Sequence, residues 1–506
     1  MDVVRVPNPI IISTNPATQT PIAEVPCATP DQIEAAMQKA RTAQPAWAAR
    51  PIEERANLLR DIQHQLYHHR QEVVDMVVKE QGKSAHEALL VEVLTSLEIL
   101  GYFRKTAPKV LKPRRVFAHV LLHRRHVIQH EPHGVVLVIS PWNFPVYLSI
   151  PPIAAALVAG NTVIFKPSEY ATQTSALVSK LIHDAGIPAD VFQTINGYGD
   201  VGAALIEAHP DKICFTGSER VGRKIATTAG EKLIPVTLEL GGKDAALVMD
   251  DAQIDRAARD ILWAGTVSAG QACASIERVY VMRSVADQLI DKMQHYMDAF
   301  IRTGPGTLST TTYGAITTPF QFKIIQDQLD EAKQSGVQVF EGKHVAEGQF
   351  CAPTLVIDPA DELKVMREET FGPVIAIQRV DSEAEAIARA NNNAYGLTAS
   401  IWTSNRERGL RIAKQLHVGS VSINDHIMSS QTPEMPWGGV KASGYGRTRG
   451  HEGLLEMTVT KSVSYERFPL PFNPLSYPYT SFKRAFLRRF INIRFGPSWR
   501  DKIKGQ

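Results

Sequence analysis

The first regular pattern along the chain is helical. Across residues 31–47 and 52–81 apolar side chains recur three and four apart, with Leu58, Leu59, Ile62 and Leu66 set against Glu53, Glu54, Arg60 and Gln63 on other faces. These segments read as cover helices. At Gly134 the period changes: Val135 to Ile139 is a short apolar run closed by Pro141-Trp142-Asn143, and Thr162 to Phe165 is another after Gly160-Asn161. The order is strand, loop, helix, strand. Residues 135–165 are apolar overall, but Pro141, Asn143, Pro145, Pro151, Pro152 and Asn161 interrupt them before the roughly 20 residues that a membrane helix needs. A buried strand followed by a buried helix fits better.

The alternation continues. Residues 171–185 carry Leu177, Leu181 and Val178, Ile182 four apart and stop at Gly186-Ile187-Pro188, a helix with a glycine end and a proline beyond. Apolar runs at 191–195, 212–215 and 236–238 read as strands between helical segments 201–208 and 221–229. Such order implies a parallel sheet with helices on both faces. After Gly241-Gly242 it restarts with strands at 245–249 and 279–282 and helices at 254–266 and 285–300. The expected fold class is therefore α/β, with two doubly wound parallel-sheet domains. Residues 116–121 and 123–130 pattern as a protruding hairpin, whose free edges suit an oligomer contact.

With 506 residues, 44% hydrophobic and 21% charged, the chain can bury a large core in two or three domains. A net charge of +3 gives no support to general polyanion binding, so no nucleic-acid partner is expected. Cys27, Cys214, Cys273 and Cys351 lie far apart without Cys-x-x-Cys spacing, and the start lacks a signal-peptide pattern. A reducing, cytoplasmic location follows. His119, His123, His126, His130 and His133 cluster without carboxylate or thiol partners at metal-site spacing, so no metal is expected.

Cys27, Cys214 and Cys351 read as small buried hydrophobes. Cys273 differs because Gly270, Ala272, Ala274 and Ser275 leave room for a substrate at the sulfur, and it follows a helix at a turn. Glu239 alone reads as a surface carboxylate before a Gly-Gly turn, and Asn143 alone as a turn residue beside proline. Together with Cys273 they supply a nucleophile, a carboxylate base and an amide donor. Glu277, in the same segment as the cysteine, is compatible with a solvent-facing carboxylate and decides nothing.

From about residue 10 to 465 the chain resembles the NAD(P)-dependent aldehyde dehydrogenase superfamily. The motifs that carry the resemblance occur in order: Pro141-Trp-Asn-Phe-Pro145, Phe165-Lys-Pro-Ser-Glu169, Phe215-Thr-Gly-Ser218, Leu238-Glu-Leu-Gly-Gly242, Gly270-Gln-Ala-Cys273, Glu368-Glu-Thr-Phe-Gly-Pro373 and Pro436-Trp-Gly-Gly439. Asn143 and Glu239 precede Cys273 by 130 and 34 residues. The resemblance implies that Cys273 forms a thiohemiacetal and then a thioester, that Asn143 and the Cys273 N–H hold the oxyanion, and that Glu239 activates water. A carboxylate at 239 favours hydrolysis over transfer to coenzyme A. Trp142, Lys166, Ser168, Glu169, Gly217, Ser218, Glu369 and Phe371 are the coenzyme-binding residues it implies. Glu169 accepting from a ribose 2′-hydroxyl would repel a 2′-phosphate, which favours NAD, with NADP possible. The implied layout is an NAD(P)-binding domain at 1–113 and 133–240, a catalytic domain at 241–455, and oligomerisation strands at 114–132 and 456–466, in a homodimer or homotetramer.

Residues 467–506 leave the shared pattern. Phe482, Phe486, Phe490 and Ile493 fall on one helical face, and residues 483–506 hold eight Lys and Arg against one Asp. A basic amphipathic helix of this kind can lie on an anionic membrane surface through residues 480–495, or dock on protein. No prenylation cysteine ends the chain. The expected substrate is a hydrophobic aldehyde. The alternatives are a semialdehyde of amino-acid catabolism and a non-catalytic nucleotide-binding scaffold.

Overall fold

The computed structural model describes residues 9–496 apart from 120, 122, 428–430, 470–472 and 474. Two compact units divide the chain: residues up to 112 together with 130–459, and residues 113–129 together with those from 460 onward. Strands β1 (Ile10–Thr14) and β2 (Pro21–Pro26) pair antiparallel, as do β3 (Arg114–Val116) and β4 (Arg124–Pro132). The strand expected at 116–121 thus lies earlier. Val116 pairs with His126, and the residues between them are needed for the turn; Val120 lies outside the described residues.

The first α/β sheet is built from β5 (Val135–Ile139), β6 (Thr162–Lys166), β7 (Phe192–Thr194), β8 (Lys212–Thr216) and β9 (Val236–Glu239), all parallel. The second contains β10 (Asp244–Val248), β11 (Ile276–Met282), β12 (Gln338–Glu341), β13 (Thr354–Ile357), β14 (Val374–Val380), β15 (Thr398–Trp402) and β16 (Ser420–Ile423). Its order is β12-β13-β14-β11-β10-β15-β16, parallel except for β12. A short β17 (Gly444–Tyr445) returns to the first sheet and pairs antiparallel with β9, giving the order β17-β9-β8-β5-β6-β7. Finally β18 (Thr458–Glu466) joins β4 and β3 in a three-stranded sheet.

Both large sheets are covered on both faces, which is why their strands are continuous apolar runs rather than alternating ones. Val135 to Val138 are buried, as are all ten residues of the helix Ile150–Ala159 that follows. The run that looked long enough to raise a membrane question is the middle of this core. No helix among the described residues is long and apolar enough to cross a membrane. The cover helices form at Pro30–Ala49, where Thr29 and Gln32 make a reciprocal N-terminal cap, and at Ile52–His68 and Arg70–Gln81, separated at His69.

From β5 the first sheet grows one way through β6 and β7 and the other way through β8 and β9. The topological switch point therefore lies between β5 and β8, where a doubly wound sheet opens a crevice at its carboxyl edge. Only Leu240–Lys243 separate β9 from β10, so this edge meets the starting edge of the second sheet.

Candidate active site

The loops at that carboxyl edge carry the expected residues. Trp142 and Asn143 follow β5, Gly217 and Ser218 follow β8, and Glu239 ends β9. All five line one cleft of about 560 Å³, together with Cys273, Glu369 and Phe371 from the second sheet's loops. Trp142 and Phe371 meet edge to face with ring centroids 5.5 Å apart. Ser218 is exposed and caps the helix Glu219–Glu231, whose first turn thus opens at the cleft. Lys166, Ser168 and Glu169 are not in this lining. They stand one strand farther along, Lys166 ending β6 and Ser168 and Glu169 following it, with Lys166 buried and its Nζ donating to the Pro167 carbonyl at 3.0 Å. Burial lowers the Lys166 pKa, against the pull of Glu169 and Asp200.

Cys273 sits in the passage from the helix Ile254–Thr266 to β11. Three residues before it run left-handed: Ser268 at φ +53°, Ala269 at +58° and Gly270 at +71°. Only glycine fits at 270, since a Cβ there would lie 2.1 Å from the Gly372 carbonyl oxygen. The two non-glycine residues cost about 1–2 kcal/mol each in this conformation. Neighbouring side chains hold them there. Glu87 accepts from the Ser268 N–H at 2.6 Å, and buried Gln271 donates to the Ser268 carbonyl at 2.9 Å while accepting from the Thr317 N–H at 2.8 Å. Asn143 Nδ2 donates to the Gln271 carbonyl at 3.0 Å, which ties the amide to the nucleophile's own loop.

Glu87 is one of three buried carboxylates that the sequence reading missed. Glu92 accepts from the backbone N–H groups of Val146 and Tyr147 at 3.1 and 2.9 Å and pairs with buried Lys83, whose ammonium stands 3.5 Å from the Phe144 ring centroid. Glu80 accepts from Gln173 and Thr174 N–H at 2.8 and 2.7 Å, capping the helix that follows Glu169. Each hydrogen bond to such a charge is worth about 1.5–3 kcal/mol, so one short segment pins three site loops. Glu92 belongs to a π-helical turn, Ala88–Leu94, an irregularity common at functional sites.

Glu277 is a second correction. It is buried, not solvent-facing: it pairs with buried Lys243 and accepts from the N–H groups of Thr370 and Phe371, both at 2.8 Å. This pair sets the loop that carries Phe371, which itself has φ +49°. Glu369 accepts from the Gly242 N–H at 2.9 Å, and burial pushes its carboxyl up to about 8. A Cβ at Gly241 would lie 2.4 Å from Glu369 Oε2, so a side chain there would displace that carboxylate.

Burial also raises the Glu239 pKa, while Thr448, which donates its hydroxyl to Glu239 Oε1, and then Arg449 and Arg447 pull it down. The Cys273 thiol is held well above its usual value, first by burial and then by the Glu239 and Glu369 carboxylates. The other three cysteines are buried, as expected of small hydrophobes. Among the described residues no cluster of three or more His, Cys, Asp or Glu could hold a metal.

Cys273 also lines a second cavity, of about 520 Å³. Its walls are Val91, Phe144, Tyr147, Leu148, Ile427 and Trp437, with Val267, Ala272, Ala274 and Gln431 completing it. None of these side chains carries a charge. Nothing in the sequence marked this pocket, because its residue types are those of ordinary core.

Cys273 thus lines both a crevice at the sheet switch point and an apolar cavity. The chain belongs to the aldehyde dehydrogenase family, whose model matches residues 7–463. It is 35% identical over 490 residues to 4,4′-diapolycopene aldehyde oxidase of Methylomonas sp, covering 96% of this chain and 91% of that one. A Mycolicibacterium smegmatis protein named as a succinate-semialdehyde dehydrogenase (NADP+) is 36% identical over 468 residues, covering 92% and 90%. Among solved structures, betaine aldehyde dehydrogenase of Staphylococcus aureus, in complex with NAD+, matches with a TM-score of 0.87 at 29% identity, covering 93% of this chain and 96% of that one.

Proposed function

We propose that this protein oxidises a hydrophobic aldehyde, aliphatic or aromatic, to its carboxylic acid through a thiohemiacetal and thioester on Cys273. The observation that carries the reading is the uncharged, aromatic-walled cavity that Cys273 lines in addition to the crevice. A thiol with so raised a pKa attacks only if its proton is taken as the C–S bond forms, and Glu239 is one of two carboxylates lining the same cleft, with Glu369 committed to the Gly242 N–H. The Asn143 amide and the Cys273 N–H hold the oxygen of the tetrahedral adduct; such donors lower a barrier by about 3–4 kcal/mol each. The coenzyme, NAD(P)+, supplies the acceptor for the hydride that the carbonyl carbon loses. The open helix start at Ser218, the Trp142–Phe371 corner and the Glu369 carboxylate fit its phosphate, ring and ribose, with Lys166, Ser168 and Glu169 toward the adenosine end. Glu239 gives that proton up to solvent and then takes one from water, whose oxygen attacks the thioester; the acid leaves and Glu239 returns its proton to the sulfur.

Residues 1–113 with 133–240 are assigned to coenzyme binding, 241–455 to catalysis, and 114–132 with 456–466 to assembly as a dimer or tetramer. A cytoplasmic site of action goes with this. Glu169 favours NAD over NADP. A second reading, a semialdehyde with a substrate carboxylate, is favoured by Arg449, a buried cation 4.9 Å from the Trp437 ring centroid and 5.9 Å from that of Tyr147, two walls of the pocket. NADH or NADPH formation across aldehydes of two to sixteen carbons, aromatic aldehydes and succinic semialdehyde separates the two. The hydrophobic reading expects kcat/KM to rise with apolar size and succinic semialdehyde to be poor; the reverse order rejects it.

The helix expected in the tail forms at Ser481–Phe495, capped by Thr480. Phe482, Phe486, Ile491, Ile493 and Phe495 are exposed on it beside Arg484, Arg488 and Arg489. Contact of 480–495 with an anionic membrane surface is part of the proposal. Deleting residues 470–506 then releases the protein from phosphatidylserine vesicles, and unchanged co-sedimentation rejects the contact.

A further inference from the structure

Glu239 stands between two cavities. One is the cleft it shares with Cys273; the other, about 420 Å³, is bounded by Tyr147, Cys214, Thr237, Trp437, Thr448 and Arg449. The Thr448 hydroxyl reaches across this second space to donate to Glu239 Oε1. Its place is fixed by the backbone: Thr448 and Trp437 exchange both main-chain hydrogen bonds, at 2.7 and 2.8 Å, and Arg449 turns left-handed at φ +58° directly after it. Four residues earlier, Gly444 pairs with Glu239 itself in the β17–β9 ladder, where a Cβ would lie 2.0 Å from the Leu238 carbonyl oxygen. Base and hydroxyl are therefore anchored to the same ladder. The ionisable groups around the carboxylate are Cys273 on the cleft side, with Tyr147, Cys214, Arg447 and Arg449 behind. Arg447 is committed to the Gly439 and Gly446 carbonyls, at 3.1 and 2.6 Å.

We propose that Thr448 is a positioning residue for hydrolysis of the acyl-enzyme: its hydroxyl holds one oxygen of Glu239 and leaves the other to take the proton of the attacking water. This rests on Glu239 being the base. A glutamate side chain has three rotatable bonds, and a base misplaced by about 1 Å loses on the order of a hundredfold in rate. A donor to the ionised form also keeps a buried carboxylate deprotonated closer to neutral pH.

The test uses p-nitrophenyl acetate, which acylates a reactive thiol without coenzyme, so hydrolysis is read apart from hydride transfer. In Thr448→Val the first turnover still releases about one equivalent of nitrophenolate, steady-state turnover falls about tenfold or more, and acetyl-enzyme accumulates in the intact mass spectrum. The acid limb of steady-state turnover moves to higher pH, because the carboxylate loses a donor that favours its charged form. Thr448→Ser keeps the hydroxyl and stays within about threefold of the parent. The proposal is overturned by unchanged turnover in Thr448→Val or by a serine variant no better than valine. Glu239→Gln distinguishes the deeper failure: if it hydrolyses acetyl-enzyme at the parent rate, the base assignment falls and this inference with it. If it is slow while Thr448→Val is normal, only the role of Thr448 is lost.

Discussion

The two cavities that meet at Cys273 are built from opposite materials. The crevice side gathers carboxylates, an amide, a helix start and two tight glycines, and its loops are held by buried charge: Glu87 under Ser268, Glu92 under Val146 and Tyr147, Glu277 under Thr370 and Phe371. The far side is lined by rings and aliphatic side chains, with the Gln431 amide among them. The difference follows from what each must do. Atoms that exchange protons and charge need fixed dipoles and defined orientation, which hydrogen bonds supply. A pocket that sorts aldehydes by size and apolarity needs only shape and the exclusion of water, and gains little from directional bonds.

The strongest way to break this comparison is at the atom both cavities share. On the proposed mechanism Cys273→Ala is expected to lower NADH formation by about 10⁴-fold or more, because it removes the sulfur that would carry the thioester. Coenzyme binding, followed by protein fluorescence, should stay within about twofold because the alanine removes only a sulfur from one wall. Turnover within tenfold of the parent would show that the crevice oxidises its substrate without the thiol, and the division into two half-sites would lose its centre.

How far the sequence could be read follows the same division. Cys273 stood out by its small neighbours, whereas Glu239 and Asn143, ordinary when taken alone, were singled out only by their company in the ordered motifs, and all three line one cleft. The sheets were legible because strand and helix periods alternate cleanly. The supporting carboxylates were not. Glu80, Glu87 and Glu92 fall in a helical stretch where a glutamate ordinarily faces water, and only the distant backbone groups they accept from reveal them as buried. Glu277 misled for the same reason, its partner Lys243 lying beyond the Gly-Gly link. Thr448 carries no signal at all, being a common residue that matters only through the β17–β9 register. The apolar pocket was invisible because Val91, Phe144 and Ile427 look like any core positions; surface and cavity walls share a vocabulary with the interior.

The mildest prediction sharpens the comparison rather than breaking it. Val91 is buried in the π-helical turn next to Glu92, so one residue lines the apolar cavity while its neighbour's carboxylate holds the loop after Asn143. Val91→Ala removes two methyl groups from the pocket wall and leaves every crevice hydrogen bond in place. At about 0.8 kcal/mol per buried CH₂-sized group, and with partial collapse of the wall, a long-chain aldehyde should lose roughly five- to tenfold in kcat/KM. Acetaldehyde, too short to touch this wall, should change by about twofold or less, and the pH profile should not move. A loss equal for short and long substrates would mean that Val91 acts through Glu92 and the Asn143 loop. The apolar side would then be part of the positioning machinery rather than a passive container for the substrate.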